Sequence, residues 1–465
     1  MRFVGRRRER DTLERAYGCR ASGFIPVYGR RRVGKSRLIL EFLRDKPGIY
    51  GLGKQAPAAF QRREFLRQAA VALDQPLLAS AEFPDWGRTL EAVVQAWQGE
   101  RRLVLVLDEF QWMVGASPEL PSVLQELWDC GWRDSGRVLL LLCGSYLGFM
   151  EREVLGARSP LFGRRTGQIL LRPFGYDDTV EFHPGYSVSD RARVYFVCGG
   201  MPHYLLAFSD ERSVEQNLME QILDEHAMLF REPEFLLREE LRELERYSTI
   251  LTTLATGSLA QGELARRCGL DTRAIPYYLT HLRELGYVAR RFPLSGRAPA
   301  SREIRYSLEE PLLRFWFRFI FPNQSFLAQR GAEPTLRDRI RPELDAYFGG
   351  CFERLCRERL PALYAHEGVA ATYEVGEFWD RQVQIDVVGV RDDHWVDVGE
   401  CKWGSVTSVP ALCAELEAKV RCFPNPALAS IGRRIFTQHP LPHPPQGPPH
   451  IRCHSLADLA ALPAA

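Results

Sequence analysis

The run Phe24-Ile-Pro-Val-Tyr-Gly29-Arg30-Arg31-Arg32-Val33-Gly34-Lys35-Ser36 leaves this chain few folds to choose from. An apolar stretch of strand length passes directly into glycine, four residues, glycine, lysine and serine. A helical pattern follows over Arg37–Leu43. Glycines let the turn's N–H groups curl inward, and the helix that follows begins with free N–H groups and a positive dipole end. Such a turn is a cradle for phosphate oxygens. Gly29, Arg30, Arg31, Arg32, Val33 and Gly34 would surround the phosphates of ATP, with Arg37 in the first turn of the helix. Lys35 would reach the β- and γ-phosphates, and Ser36 would ligate Mg²⁺.

A second segment agrees. Leu103-Val-Leu-Val-Leu-Asp108-Glu109 is an apolar strand that ends in two acids. Adjacent carboxylates at the end of a buried strand are costly unless they meet a cation. Asp108 is expected to hold Mg²⁺ and Glu109 to polarise the attacking water as general base. Val138-Leu-Leu-Leu-Leu-Cys143-Gly-Ser145 puts a hydroxyl at the tip of another strand. There it can bond the γ-phosphate or the water, or simply make a strand-to-turn bond. Beyond it, either Arg164 or Arg165 is placed to act as a finger on a neighbouring subunit's nucleotide. With a fourth strand at Gln168–Leu171, these segments alternate with amphipathic helices, the pattern of a parallel sheet flanked by helices.

The chain has 465 residues, which suggests two to four domains. Lys+Arg number 61 and Asp+Glu 59, so a uniformly basic nucleic-acid coat is excluded while a local basic face is not. Lysine occurs only at Lys35, Lys46, Lys54, Lys402 and Lys419. A chain that otherwise writes arginine retains a compact ammonium where a planar guanidinium would not serve. No apolar run reaches the ~18–20 residues of a membrane span. The N-terminal Met1-Arg-Phe-Val-Gly-Arg-Arg-Arg lacks the apolar stretch of a secretory signal. The 11 cysteines are odd in number and form no C-x-x-C pair, so reduced thiols in a cytoplasm are expected.

Phe3-Val-Gly-Arg-x-x-Glu9, the two nucleotide motifs, Cys143-Gly-Ser, Pro160-Leu-Phe-Gly-Arg-Arg-Thr and Gly199-Gly-Met-Pro202-His-Tyr-Leu together resemble the AAA+/STAND-type ATPases of archaea and some bacteria. The resemblance implies that the opening Gly-Arg segment lies near the adenine and that Pro202 faces the nucleotide. It extends along the chain, since many members end in a domain of unknown function similar to PD-(D/E)xK nucleases. The expected fold class is α/β: a P-loop NTPase parallel sheet with a helical lid, a winged-helix domain and a C-terminal α/β restriction-endonuclease-like domain. The expected boundaries are 1–172 for the ATPase core, 173–238 for the lid and 239–325 for the winged helix. A polar linker is expected at 326–340 and the nuclease-like domain at 341–465.

Residues Ser258–Ser307 read as a winged helix-turn-helix. One helix is closed by Gly269, a second spans Ile275–Leu285, and a basic hairpin follows. Arg273, His281, Arg283, Arg290, Arg291, Arg297 and Arg302 could track DNA phosphates, although Pro276 at the start of the second helix looks unfavourable. Protein docking is the competing use of such a module.

Val383-Gln-Ile-Asp386-Val-Val-Gly-Val and Trp395-Val-Asp-Val-Gly-Glu400-Cys401-Lys402-Trp read as two strands. A hairpin centred on Asp393 sets Asp386 opposite Glu400, and period two puts Lys402 on the face of Glu400. Two close carboxylates repel unless a cation lies between them, and oxygen ligands suit Mg²⁺ or Mn²⁺. The D-x(13)-E-x-K spacing resembles the nuclease motif. The resemblance implies that Asp386 and Glu400 bind metal with the Cys401 carbonyl. It makes Lys402 the group that orients or deprotonates water, and Glu353 an assistant through water. The alternative is a sheet that no longer cuts. Lys419 reads as a solvated position on the following helix or as a further site residue there, His439–Pro449 as a proline-rich loop, and Arg314–Phe321 as core or a domain interface. The histidines His439, His443, His450 and His454 match no metal-ligand spacing. The whole reading is an ATP-hydrolysing protein acting on DNA with a Mg-dependent nuclease domain, or a nucleotide-switched DNA-binding, regulatory or defence ATPase.

Overall fold

The computed structural model describes residues 3–445 and 450–463. Met1, Arg2 and residues 446–449 of the expected proline-rich loop lie outside the described residues. The chain divides into two compact units, residues 1–173 with 201–203, and residues 174–200 with 204–465.

The first unit is built on five strands: β1 (Gly23–Tyr28), β2 (Gly48–Leu52), β3 (Leu103–Asp108), β4 (Val138–Gly144) and β5 (Ile169–Leu170). All pairs are parallel, in the order β2-β3-β4-β1-β5. Every residue of β1, β3 and β4 is buried. Helices cover both faces, so these strands are continuous apolar runs and do not alternate. Parallel strands bring their C-terminal ends to one edge. The Gly29 turn, Asp108 and Ser145, far apart in sequence, therefore meet there, with β4 between β1 and β3. Strand β2 was not legible in the sequence because Gly48 and Gly51 dilute its β signal. A Cβ at Gly51 would stand 2.6 Å from the Phe65 ring, so packing of the neighbouring helix demands the glycine.

The second unit begins with helices, among them Val188–Cys198 and Leu244–Ala255. Next come β6 (Leu259–Ala260), the helices Gln261–Cys268 and Ile275–Glu284, β7 (Val288–Arg291) and β8 (Arg305–Leu308). The three strands pair antiparallel in the order β6-β8-β7. Gly269 takes φ 64° and closes the first of these helices. Pro276 sits in the first turn of the second, where no N–H is needed, so it is compatible with the helix.

The expected linker at 326–340 is instead helical, through Gln324–Arg330, Ala332–Thr335 and Leu336–Ile340. Leu327, Leu336 and Ile340 are buried, and the polar residues that suggested a linker form the outer side of these turns. The aromatic run is core, with Phe315, Trp316, Phe317 and Phe319 each about 1 % exposed or less.

The long helix Arg341–His366 precedes a second sheet of β9 (Tyr373–Trp379), β10 (Gln384–Arg391), β11 (Trp395–Lys402), β12 (Ser430–Thr437) and β13 (Ile451–Ser455). The order is β13-β12-β11-β10-β9, antiparallel from β9 to β11 and parallel from β11 to β13. The helix Val409–Cys422 covers one face through Leu412, Leu416 and Val420 against Ile385, Val388, Val398 and Ile435. On the other face the long helix comes so close that a Cβ on Gly389 would stand 2.1 Å from the Tyr364 hydroxyl.

A buried ion network ties this face together. Arg434, fully buried, donates to Asp397 (2.8 Å) and to both Glu367 oxygens (2.7 Å each), and Tyr364 donates to Asp397 (2.7 Å). His454 stacks on Phe436 with ring centroids 5.5 Å apart, and its Nε2 lies 3.3 Å from Arg434 Nη1. Burial and then the guanidinium lower its pKa from 6.5 to about 4. The unfolded chain thus binds more protons between those values, and stability is lost as pH falls through that window. We expect acidification from pH 7.5 to 5 to weaken the wild type by about 2 kcal/mol more than His454→Gln, read from denaturant unfolding. Equal losses in the two proteins would contradict this.

No helix among the described residues is long and apolar enough to cross a membrane. The cysteines are all free thiols.

Candidate functional site

The phosphate turn leaves β1 and enters the helix Lys35–Leu43, with Arg32 at φ 67° and Gly34 at φ 94° in the left-handed region. Lys35 Nζ donates to the carbonyls of Gly29 (2.8 Å) and Arg30 (2.9 Å). Burial lowers its pKa, while the charges of Glu109 and Asp108 work the other way. An ammonium held by carbonyl oxygens can exchange them for phosphate oxygens. Ser36 Oγ donates to Asp108 Oδ2 (2.8 Å), so the two groups expected at Mg²⁺ stand together.

Glu109 occupies φ 49°, a conformation a non-glycine residue holds only when its surroundings impose it. Its Oε2 accepts from Ser145 Oγ (2.7 Å) and from Gln111 Nε2, and Gln111 Nε2 is also 3.2 Å from Ser145 Oγ. Ser145 therefore holds the carboxylate expected to act as base. Pro202 stands by the turn, since a Cβ on Gly34 would come 3.7 Å from its Cγ.

Two residues of this site, Tyr50 and Gln111, were not assigned roles from the sequence, and Arg6 belongs to the opening Gly-Arg segment expected near the adenine. Tyr50 on β2 donates to Asp108 Oδ2, and burial followed by the Asp108 charge keeps its hydroxyl protonated. Gln111 braces Glu109. Arg6 donates to the Val33 carbonyl (3.0 Å) and pairs with Glu9 (3.3 Å), which seats the N-terminal segment on the turn. The Tyr50 signal was hidden with its strand. The spacing of Gln111 two residues after Glu109 was available to find it.

The two finger candidates differ. Arg164 is tied to Asp129 (2.7 Å) and to the carbonyls of Pro160 and Phe162. Arg165 is exposed. The seven basic residues expected to track phosphates in 258–307 differ likewise. His281 is bonded to Tyr247 (2.7 Å), Arg291 is paired with Glu309 (2.6 Å), and Arg297 with Glu303 (2.7 Å), so these three are engaged within the fold. Arg290 lies over Phe292 at 5.2 Å. Arg273, Arg283 and Arg302 are exposed, as is Tyr277 at 65 %.

The second cluster lies at the end of β10 and β11. The ladder pairs Val387 with Gly399, so the next step sets Asp386 opposite Glu400. Between Ile385 and Val388 the register against β9 shifts, a bulge that re-aims Asp386. Its Oδ2 accepts from the Cys401 N–H (3.0 Å). Glu400, 2 % exposed, pairs with Lys402 (2.9 Å) and Lys419 (2.5 Å). Lys419 is thus part of this cluster and does not belong to a solvated face. The reason is tertiary: the helix Val409–Cys422 packs over β11 and points its last turn at Glu400.

The electrostatics show a crowded set of acids. Burial and then Glu353 raise the pKa of Asp386 to about 6. Burial and then Asp386 raise that of Glu400 against the two lysines. Burial raises that of Glu353 despite Arg357, with Glu377 and Glu400 adding to the effect. Three carboxyl groups that repel one another suit a divalent cation. Among the described residues no three His, Cys, Asp or Glu side chains form a ready metal cage. The donor set expected here is different, two carboxylates and the Cys401 carbonyl. The Cys401 thiol is buried against Cys356, which keeps it protonated and a poor ligand.

A strand, its phosphate turn and an acid-tipped strand two places away in a parallel sheet define a P-loop ATPase. Residues 3–208 match a family described as an ATPase domain predominantly from Archaea, and residues 316–412 match one described as Archaea bacterial proteins of unknown function. The uncharacterized protein MJECL04 of Methanocaldococcus jannaschii is 28% identical over 407 residues, which cover 86% of this chain and 87% of that protein. Among solved structures, the Walker-type ATPase PABY2304 of Pyrococcus abyssi is similar at a TM-score of 0.49 and 18% identity, covering 68% of this chain and 96% of that one. The ORC2 protein of Aeropyrum pernix, solved as ADPNP–ADP complexes, is similar at 0.46 and 17%, covering 70% and 95%.

Proposed function

We propose that this ATPase acts on DNA and that its second unit cuts phosphodiesters with Mg²⁺ or Mn²⁺. The observation that carries the reading is the convergence of Asp386, Glu400 and Glu353 with Lys402 beside them. Asp386 and Glu400, with the Cys401 carbonyl, would hold the ion. When bound, it would polarise the scissile phosphate and neutralise developing charge. Lys402 would orient the water, and Glu353 would assist through a second water. Asp386 is kept in place by the Cys401 N–H, and Lys419 steadies Glu400.

At the nucleotide, Ser36 and Asp108 would hold Mg²⁺, Lys35 the phosphates and Glu109 the attacking water. Arg165, unlike Arg164, is free of a visible ion pair and is the better finger on a second copy of the chain. The helix-turn-helix and its hairpin would meet DNA as a winged helix. Arg273, Arg283 and Arg302 would lie on phosphates. A cytoplasmic setting fits the free thiols.

Incubation of the pure full chain with supercoiled plasmid, with and without ATP and Mn²⁺, tests the nuclease reading. Metal-dependent nicking that disappears in Lys402→Ala supports it. Absence of cutting on every DNA or RNA form would favour a second reading, in which the clamp of Lys402 and Lys419 on Glu400 replaces the metal and the unit only binds.

A further inference from the structure

Beside the acid cluster, within the second unit, lies a cavity of about 450 Å³ that none of the roles above uses. Five arginines line it, Arg305, Arg314, Arg318, Arg354 and Arg357, against two carboxylates, Glu353 and Glu377. Three of the five have acidic partners. Arg318 pairs with Glu343 (2.6 Å), Arg354 with Glu309 (2.8 Å), and Arg357 lies 3.7 Å from Glu377.

Arg305 and Arg314 have no carboxylate partner within 4.0 Å among the described residues. Arg305 lies flat against Trp379 at 4.8 Å. Arg314, 9 % exposed, bonds the Leu308 carbonyl (3.3 Å) and the Cys351 sulfur (3.4 Å), and its Nε has no partner. A guanidinium taken out of water without a counter-charge is expensive to maintain. Arg305 and Arg314, on which Glu377 and Glu309 act only from beyond ion-pair distance, stand on one cavity wall, one leaving a donor unused, and describe a place for an anion. Arginine's fork suits phosphate oxygens, and Trp379, buried behind Arg305, holds that guanidinium against the cavity wall. The volume is at the small-ligand scale, enough for about one nucleotide and too small for a duplex.

Two contacts join this cavity to the acid cluster. Glu353 lines the cavity and also faces Asp386 and Glu400. Arg357 lines it and donates to the Asp386 carbonyl. We infer that the cavity receives a nucleotide of a single strand, its phosphate on Arg305 and Arg314, next to the phosphodiester presented to Asp386 and Glu400. This deepens the nuclease reading and rests on it for the identity of the neighbouring site.

The test measures binding without divalent metal, so that cutting plays no part. The full chain carries Lys35→Ala to silence the other phosphate site. A fluorescently labelled single-stranded decanucleotide is titrated by anisotropy at several salt concentrations. Arg305→Gln is expected to weaken binding at least ~10-fold and to lower the salt slope by about one contact, while Arg305→Lys restores part of the loss. Gln384→Glu, at an exposed position on the same wall, should weaken binding similarly without touching the core. Unchanged affinity and slope in both Arg305→Gln and Gln384→Glu would overturn the inference. So would displacement of the strand by AMP or pyrophosphate at concentrations equal to or below its own, which would make the cavity a site for a free phosphate ligand. Failure of the plasmid assay with intact Arg305-dependent binding would sink only the cutting.

Discussion

Glu109→Gln is expected to bind ATP about as well as the wild type and to hydrolyse it at least ~100-fold more slowly. A positioned general base is worth about 10² to 10⁴ in rate, and an amide of the same shape cannot accept the water's proton. The local geometry favours a clean result. Ser145 and Gln111 hold the side-chain oxygen in place, and the backbone N–H of Glu109 is bonded to Asp108 and not to its own carboxylate. Binding should persist because the phosphates are held elsewhere, by the turn and Lys35. Lys35→Ala is the complementary case: nucleotide binding itself should vanish, since the buried ammonium is the group expected to reach the β- and γ-phosphates. Equilibrium binding of a fluorescent ATP analogue and steady-state phosphate release separate the two variants. Full turnover in Glu109→Gln would show that another group activates the water.

Asp386→Asn should abolish metal-dependent cleavage, by about 10³-fold or more, while leaving the fold intact. The carboxylate is expected to supply charge to the ion, and the loss of one hard anionic ligand removes both affinity and polarisation. The amide can still accept the Cys401 N–H through its oxygen, so the strand end keeps its shape. It also removes one of three mutually repelling acids, so the metal-free protein should be no less stable than the wild type. Loss of cutting with an unchanged or raised unfolding midpoint is the expected pair of results. Cutting at the wild-type rate would remove the second unit's carboxylates from the mechanism.

Much of this was legible because short-range rules act on contiguous residues. The 29–36 turn is readable from its glycines and the helix behind it. The opposition of Asp386 and Glu400 followed from counting across a hairpin, and the observed register of Val387 with Gly399 agrees with that count. Other features were hidden because their causes lie far away in sequence. The polar surface of 326–340 resembled a linker until Leu327, Leu336 and Ile340 were seen buried. His281 and Arg291 looked free for phosphates until Tyr247 and Glu309, 34 and 18 residues away, proved to be their partners.

What the amino-acid sequence determined alone is the chemistry available at each strand end: which groups could meet phosphate, water or a divalent ion. Local periodicity and glycine placement suffice for that, since they act over a few residues. Only the tertiary structure decided which charges are spent on one another and which are left over. It turned Lys419 onto Glu400, tied Arg164 to Asp129, and left Arg305 and Arg314 with no carboxylate within 4.0 Å among the described residues. Charges pair across space, and the energy of a buried pair depends on distance and desolvation that no spacing along the chain records.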